Sequence, residues 1–418
     1  MAIEITASQE PTPVPAGRRE VLDVIRAHCC IVGGGPAGTT LAILLARQGI
    51  AVVLLEEHQD FERDFRGDTI HPSTMELMDA LGLADRLLEL PHTKISSLTL
   101  LTTGQPVTMA DLSRLKTRFP YITFMPQARF LEFVANEAKR YPSFQLIMGA
   151  AVQELVEEDG VVGGVRYRAQ DGWHEVRAPL TVGADGRFSR LRHLVGFEPI
   201  KTSPPMDVLW FRLPRHPDDP HGAYGRIGNG HMLGMLDRTD EWQIAYVIPK
   251  GTYRELHAAG LDALKRSIAE LVPQYADRLE ALVDWKQVSL LSVESSRLPR
   301  WYKPGLLLIG DAAHVMSPVG GVGINYAIQD AIVAANALSG PLKAGRLRLR
   351  DLAAVQRQRE WPTRVIQAFQ SFLQKRVVAK ALDPNQQLSP PAILGVPILR
   401  DLPARLIAFG VWRVRLKV

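Results

Sequence analysis

The stretch CCIVGGGPAGTTLAILLARQGIAVVLLE, Cys29 to Glu56, constrains this chain more than any other. A short apolar run, Cys29 to Val32, reads as a buried strand. Gly33, Gly35 and Gly38 follow in G-x-G-x-x-G spacing, and then comes a small-residue helix from about Ala37 to Gln48. Gly49 can end that helix with the positive φ that glycine adopts at low cost. A second apolar run, Ala51 to Leu55, delivers an acid, Glu56. Each part has a mechanical job. The first glycine makes a tight turn, the second lets the backbone approach a pyrophosphate, and the third lets helix and strand pack closely. Unpaired N–H groups and the positive dipole end of the helix favour phosphates. A carboxylate at the end of the second strand, about 20 residues on, accepts ribose hydroxyls. A lone glycine-rich turn is the ordinary alternative, but here the strand, the helix and the acid are all in place. The motif marks a dinucleotide site without saying whether the ligand is NAD or FAD.

At 418 residues and 46% hydrophobic content, the chain can bury a large core and form two or more domains. Its two cysteines, Cys29 and Cys30, are neighbours in the first strand and point to opposite faces, so they read as buried thiols of a reducing compartment. No apolar run approaches the roughly 18 to 20 residues of a membrane span. The N-terminus carries Glu4 and no apolar core ahead of a cleavage site, so the expected location is cytoplasmic. The net charge of +5 comes from scattered lysines and arginines, which gives no nucleic-acid footprint.

Residues 1–24 read as a disordered arm, Pro-, Ser- and Thr-rich to about residue 17. A helix is expected from Ser73, with Glu76 completing a capping box. Residues 98–109 read as a hairpin around Thr103 and Gly104, and 127–140 as a helix. A second glycine-and-acid signal, LTVGADGRFSRLR, carries Asp185, Gly186, Ser189 and Arg192. Strand-like runs then dominate 205–250, followed by a helical segment at 261–282 and a strand at 288–293. This texture predicts a separate sheet inserted into the dinucleotide domain. The third signal, GLLLIGDAAHVMSPVGGVGINYAIQDAIVAANAL, joins an apolar strand ending in Gly310 and Asp311 to a glycine-rich entry into a helix near Ile324. It is an anion-receiving site of the same physical kind as the first, although taken alone it could be an ordinary βα crossing.

Three signals in this order resemble the class A flavoprotein monooxygenases, over about residues 26–365. The resemblance implies an α/β fold: a Rossmann-like FAD-binding domain with an inserted mixed β-sheet substrate domain and a helical C-terminus. The corresponding boundaries are 25–90, 120–204 and 290–365 for FAD binding, 91–119 and 205–289 for the substrate domain, and 366–418 for the C-terminal helical segment. By the same resemblance Gly33, Gly35, Ala37, Gly38 and Glu56 hold the ADP half of non-covalent FAD. Arg66 and Gln127 contact the cofactor. Asp185 and Gly186 form the fingerprint linked to FAD and NAD(P)H, and Asp311, after Gly310, takes the ribityl chain. Pro318, Gly323, Ile324 and Asn325 lie beside the flavin ring, with backbone N–H groups near Ile324 and Asn325 facing negative charge on the reduced ring.

The implied reaction is hydroxylation of an aromatic, quinone-like or polyketide small molecule. NADH or NADPH is the electron donor, molecular oxygen the co-substrate and a flavin hydroperoxide the oxygenating species. No side chain announces itself as a catalytic base, and no metal site is expected. His71, His231 and His314 are the available imidazoles, His314 with a structural role inside the Gly-Asp motif. Trp210 and Arg212, on one strand face, and Tyr246, on another strand, are candidate substrate contacts; an alternating strand with one solvated face is the plain alternative. The tail mixes apolar residues with Arg400, Arg405, Arg413, Arg415 and Lys417. A membrane contact is weighed there against a helix covering the substrate domain or a dimer contact, and the prolines at 390, 391, 397 and 403 favour the second. The oligomer is a monomer or a homodimer. Rival readings are a halogenase, an isoprenoid reductase and a non-catalytic flavin-binding protein. WQIAYVIP at Trp242 to Pro249 lacks the second tryptophan of the halogenase W-x-W-x-I-P signature, and the complete Asp-Gly fingerprint argues against the reductase.

Overall fold

The computed structural model describes residues 20–62, 67–101, 106–228, 230–238, 240–383 and 401–417. In chain order its principal elements begin with β1 (Cys29–Val32), α1 (Pro36–Ala46), β2 (Val52–Glu56) and α2 (Pro72–Ala80). Next come β3 (Ser97–Leu101), β4 (Val107–Asp111), α3 (Gln127–Ala138), β5 (Phe144–Met148) and β6 (Leu180–Gly183). A second group holds β7 (Met206–Pro214), β8 (Ala223–Gly228), β9 (His231–Asp237), β10 (Glu241–Pro249), α4 (Leu261–Leu271) and β11 (Ser289–Leu291). The chain then returns through β12 (Leu306–Leu308) to α5 (Gly323–Lys343), α6 (Leu349–Leu373) and α7 (Leu402–Phe409).

Five parallel strands lie in the order β12-β6-β1-β2-β5, with a short antiparallel strand at Tyr302–Lys303 on the outer edge. Both faces are covered, so β1, β2, β6 and β12 are buried end to end and read as continuous apolar runs. Ten of the eleven residues of α1 are buried, because the helix lies between the sheet, α3 and α5. Burial of each large aliphatic side chain in this layer contributes about 1.5–3 kcal/mol.

A seven-stranded sheet, β11-β7-β10-β9-β8-β3-β4, carries the residues between. Its two faces have different partners. Leu209, Phe211, Ile244, Tyr246 and Leu233 lie under α4, whereas Val208, Trp210, Ala245, Val247 and Met232 face Val319 and Val378. The β3–β4 pair is antiparallel, as expected for the hairpin; its tip at 103–104 lies outside the described residues. Residues 261–282 divide into α4 and a 3₁₀ stretch at Pro273–Ala281, since Pro273 supplies no N–H to continue the α-helix.

The expected capping box does not form. α2 starts one residue earlier, with Pro72 at N1 and His71 as N-cap, and the Ser73 hydroxyl is buried without a partner among the described residues. Glu76 instead receives Thr117 Oγ1 at 2.8 Å and Arg413 Nε at 3.1 Å. Distant partners thus outcompete the local cap. Residues 402–417 lie against the body of the molecule: α7 contacts α2 and β4, Gln329 Nε2 donates to Phe409 O at 3.1 Å, and Asn336 Nδ2 donates to Arg415 O at 2.9 Å. Among the described residues no helix is long and apolar enough to cross a membrane.

Candidate functional site

Three motifs separated by more than a hundred residues each meet at the carboxyl ends of adjacent strands β1, β6 and β12. An ideal Cβ on Gly33 would stand 2.4 Å from Ala184 O, which joins the first motif to the second. One on Gly310 would lie 3.3 Å from the Cβ atoms of both Ala37 and Ala327, which joins the first to the third. Arg192 Nη1 donates to Ala312 O at 3.1 Å and so ties the second motif to the third. This convergence is where ligands bind in open α/β sheets.

The three glycines have different surroundings. Gly33 has φ +103°, and a Cβ on Gly38 would fall 1.9 Å from Gly33 O, so both sites demand glycine for the packing of the turn. A Cβ on Gly35 meets nothing within 4 Å, which leaves open space at the N-cap of α1. The first helical bond of α1 runs from Thr39 N to Gly35 O at 3.0 Å, so the N–H groups of Ala37 and Gly38 precede the ladder. Glu56 closes this corner: Gly34 N donates to its Oε2 at 2.7 Å and His58 N to its Oε1 at 3.0 Å.

Asp185 turns inward. Its carboxylate accepts Ser189 Oγ at 2.6 Å and Leu191 N at 3.0 Å, and Ser189 caps the short helix Arg190–Leu194. Burial raises the Asp185 carboxyl despite these donors. Gly186 has φ +80° at the turn. The fingerprint therefore works as a clamp on the Gly310–Ala312 turn.

That turn has a second support, which the sequence reading missed. Asp330, in α5, accepts Gly310 N at 2.9 Å, His314 Nε2 at 2.6 Å and Arg359 Nε at 2.6 Å, all in the interior. Burial pushes the Asp330 carboxyl up, but the His314 and Arg359 charges and hydrogen bonds outweigh it and hold it below the usual carboxylate range. The His314 ring packs tilted against Trp301, with ring centres 4.9 Å apart, in keeping with a structural role. Asp311 sits half-buried at the exposed side of the turn.

The glycine-rich loop after Pro318 enters α5 at Gly323, with Val322 as N-cap and no side chain capping the first turn. Its first internal bond is Tyr326 N to Val322 O at 3.0 Å, so the N–H groups of Gly323, Ile324 and Asn325 stand ahead of the ladder. Asn325 Oδ1 accepts Thr74 Oγ1 at 2.8 Å, while its Nδ2 is buried without a partner among the described residues. A Cβ on Gly67 would approach Ile324 Cδ1 to 3.1 Å, and Thr69 Oγ1 donates to Gly321 O at 3.1 Å. Gln127 begins α3, its N–H 3.3 Å from Asp68 Oδ1. Arg66 lies outside the described residues. His71 is fully buried here; its Nδ1 lies 2.6 Å from Ile407 O, which makes Nδ1 the donor and leaves Nε2 an acceptor without a partner among the described residues.

The substrate candidates separate. Trp210 lies on the sheet face toward Val319, with a buried Nε1 lacking a partner among the described residues, and Arg212 continues that row, 3.1 Å from Glu241. At the edge of the same face Arg238 pairs with Asp68 at 3.2 Å. Tyr246 corrects the expectation. It is in the core under α4, with its hydroxyl 2.8 Å from His231 Nδ1 and 2.5 Å from Ser267 Oγ, on the opposite face from Trp210. Strand alternation decides this, because Tyr246 stands in register with Leu209 rather than Trp210.

Open space at Gly35, uncapped N–H groups on α1 and α5, and an orphaned buried amide at Asn325 suit a long ligand with phosphates at one end and a hydrogen-bonding ring at the other. FAD fits that description. Comparison with known proteins agrees: residues 26–367 match the FAD binding domain family. The chain is 35% identical over 408 residues to 6-methylpretetramide 4-monooxygenase of Streptomyces rimosus, covering 96% of each. OxyS anhydrotetracycline hydroxylase from the same organism superposes with a TM-score of 0.73 at 25% identity, over 94% of this chain and 78% of that one. PqsL, a probable FAD-dependent monooxygenase from Pseudomonas aeruginosa, shares the fold with a TM-score of 0.73 at 22% identity, over 86% of this chain and 97% of that one. The chain belongs to the FAD binding domain family and is an FAD-dependent monooxygenase.

Proposed function

We propose that this monooxygenase hydroxylates a flat, polycyclic aromatic polyketide of the pretetramide kind. The observation that carries the reading is the end-to-end similarity to 6-methylpretetramide 4-monooxygenase, which extends through the inserted sheet as well as the cofactor motifs. The sheet face of Trp210, Met232, Ala245 and Val247 is apolar, as fused rings require, and the Arg212 and Arg238 edge suits acidic phenol or enol groups.

In this reading Gly33, Gly35, Ala37, Gly38 and Glu56 would hold the ADP half of FAD. Arg66, Gln127 and Asp311 would contact its middle, and Pro318, Gly323, Ile324 and Asn325 would seat the ring. Asp185 and Gly186 would brace the site from behind. Bound FAD would take electrons from NADH or NADPH and activate oxygen for transfer of one atom to the substrate. The chain's own work is to orient the ring system, exclude water and offer α5 N–H groups to developing negative charge. The two buried thiols of β1 fit a reducing, cytoplasmic setting.

The test is flavin reduction by NADH and by NADPH, with and without pretetramide-like polyphenols, followed by admission of air and mass analysis. Ligand-accelerated reduction with a gain of one oxygen atom supports the reading. A gain of two hydrogens, or reduction indifferent to every polyphenol, would remove it.

A further inference from the structure

One stripe of α6 and the turn after it is polar and buried throughout. Gln356, Arg359, Thr363, Gln367, Gln370 and Gln374 recur at steps of three and four residues, which puts them on a single helix face toward the interior. Buried amide donors need partners, and these Nε2 groups find them on backbone carbonyls and side-chain oxygens. Gln356 Nε2 donates to Pro299 O at 2.8 Å, and Gln367 Nε2 to Ser296 O at 2.8 Å and Val315 O at 3.0 Å. Gln370 Nε2 donates to Ser317 O at 2.9 Å and Val319 O at 2.8 Å. Gln374 Nε2 donates to the Ser317 hydroxyl, whose oxygen accepts Val319 N at 3.3 Å.

The last two glutamines therefore grip both sides of Pro318, a residue with no N–H of its own to anchor it. Beyond it the loop is built from Gly320 at φ +81° and Gly321 at φ +61°; Gly321 N donates back to Pro318 O at 2.9 Å, and Thr69 Oγ1 donates to Gly321 O. At the last residue of the stripe the helix widens into a π turn, Gln374–Val378, a geometry common at functional sites. Val378 of that turn packs on the sheet face that carries Trp210. The end of α6 thus touches the loop leading into α5 and the substrate sheet together.

We propose that Gln370 and Gln374 are positioning residues for the flavin ring: they fix the Ser317–Val319 limb and so the seat of the ring before the N-terminus of α5. The proposal rests on the assignment of FAD to this site. It distinguishes these two glutamines from Gln367, one turn earlier, which donates instead to the Ser296 and Val315 carbonyls.

Gln370→Glu and Gln367→Glu make the matched comparison, since each replaces a donor to two carbonyls with a carboxylate. Three quantities are read: the Tm of the apoprotein, the Kd for FAD from flavin-fluorescence titration, and the visible spectrum of the bound flavin. Both variants should lower the Tm, but only Gln370→Glu should shift the flavin bands and weaken FAD binding by tenfold or more. Equal loss of Tm with wild-type affinity and spectrum in both would overturn the proposal. Should Gln370→Glu not fold, Gln374→Leu removes only the donor to the Ser317 hydroxyl; shifted bands would support the proposal and unchanged bands would defeat it. Failure of the wild type to take up FAD would refute the cofactor assignment itself, and the proposal with it.

Discussion

Arg359 Nε lies 2.6 Å from Asp330 Oδ1, with the two side chains 1% and 0% exposed, and the other oxygen of that carboxylate holds Gly310 N. A fully enclosed ion pair is therefore the inner wall of the turn that presents Asp311. Removing one partner of such a pair leaves an uncompensated buried charge and costs about 3–5 kcal/mol. Asp330→Asn should lose that much in urea denaturation at pH 7. The folded carboxyl titrates below its unfolded value, so its contribution is present above about pH 4 and lost as pH falls through the folded value. The stability gap between wild type and Asp330→Asn should hold between pH 7 and 5 and narrow only in stronger acid. A gap that already closes at pH 6 would contradict the assignment.

Gly35 and Gly38 should fail in different ways. A methyl on Gly38 collides with a backbone oxygen, so Gly38→Ala should destabilise the protein by about 1–3 kcal/mol with or without cofactor. A methyl on Gly35 meets no protein atom, so the apoprotein should melt within about 0.5 kcal/mol of wild type. It would occupy the approach to the pyrophosphate, however, and FAD affinity should fall tenfold or more. Calorimetry of the apoproteins alongside a fluorescence titration separates the two; undiminished affinity in Gly35→Ala would place the phosphates elsewhere.

His71 gives the protein an acid-sensitive point at the docking site of α7. Burial pushes its pKa down to about 4, a shift the Ile407 carbonyl only partly offsets. In the unfolded chain the imidazole protonates near 6.5. The unfolded state therefore binds the extra proton between these values, and stability falls as pH drops from about 6.5 toward 4, by about 3 kcal/mol for this group. His71→Gln should flatten that part of the stability–pH curve. Parallel curves for the two proteins would show that other groups set the slope.

Trp210 and Tyr246 provide a test of which sheet face meets substrate. Trp210→Ala should raise KM for a polyphenol substrate tenfold or more. Tyr246→Phe removes only hydrogen bonds to His231 and Ser267, so it should cost about 1 kcal/mol of stability and leave KM unchanged. A KM effect confined to Tyr246 would put the substrate on the helix-covered side, against the alternation of β10.

The sequence by itself determined the three strand-ending motifs, the need for glycine at Gly33 and Gly38, and the family. Those features are written in nearest-neighbour chemistry: glycine where only glycine fits, apolar runs for buried strands, an acid at a strand end. Only the tertiary structure decided what lies between residues far apart in the chain. Ser73 and Glu76 had the spacing of a cap, yet Pro72 set the helix start and Glu76 found Thr117 and Arg413. Tyr246 and Trp210 looked equivalent until strand pairing put them on opposite faces. The Asp330 cluster and the glutamine stripe of α6 were invisible for the same reason. A polar side chain spaced along a helix gives no sign of whether it faces water or a buried carbonyl, and that choice is made by the packing of the whole chain.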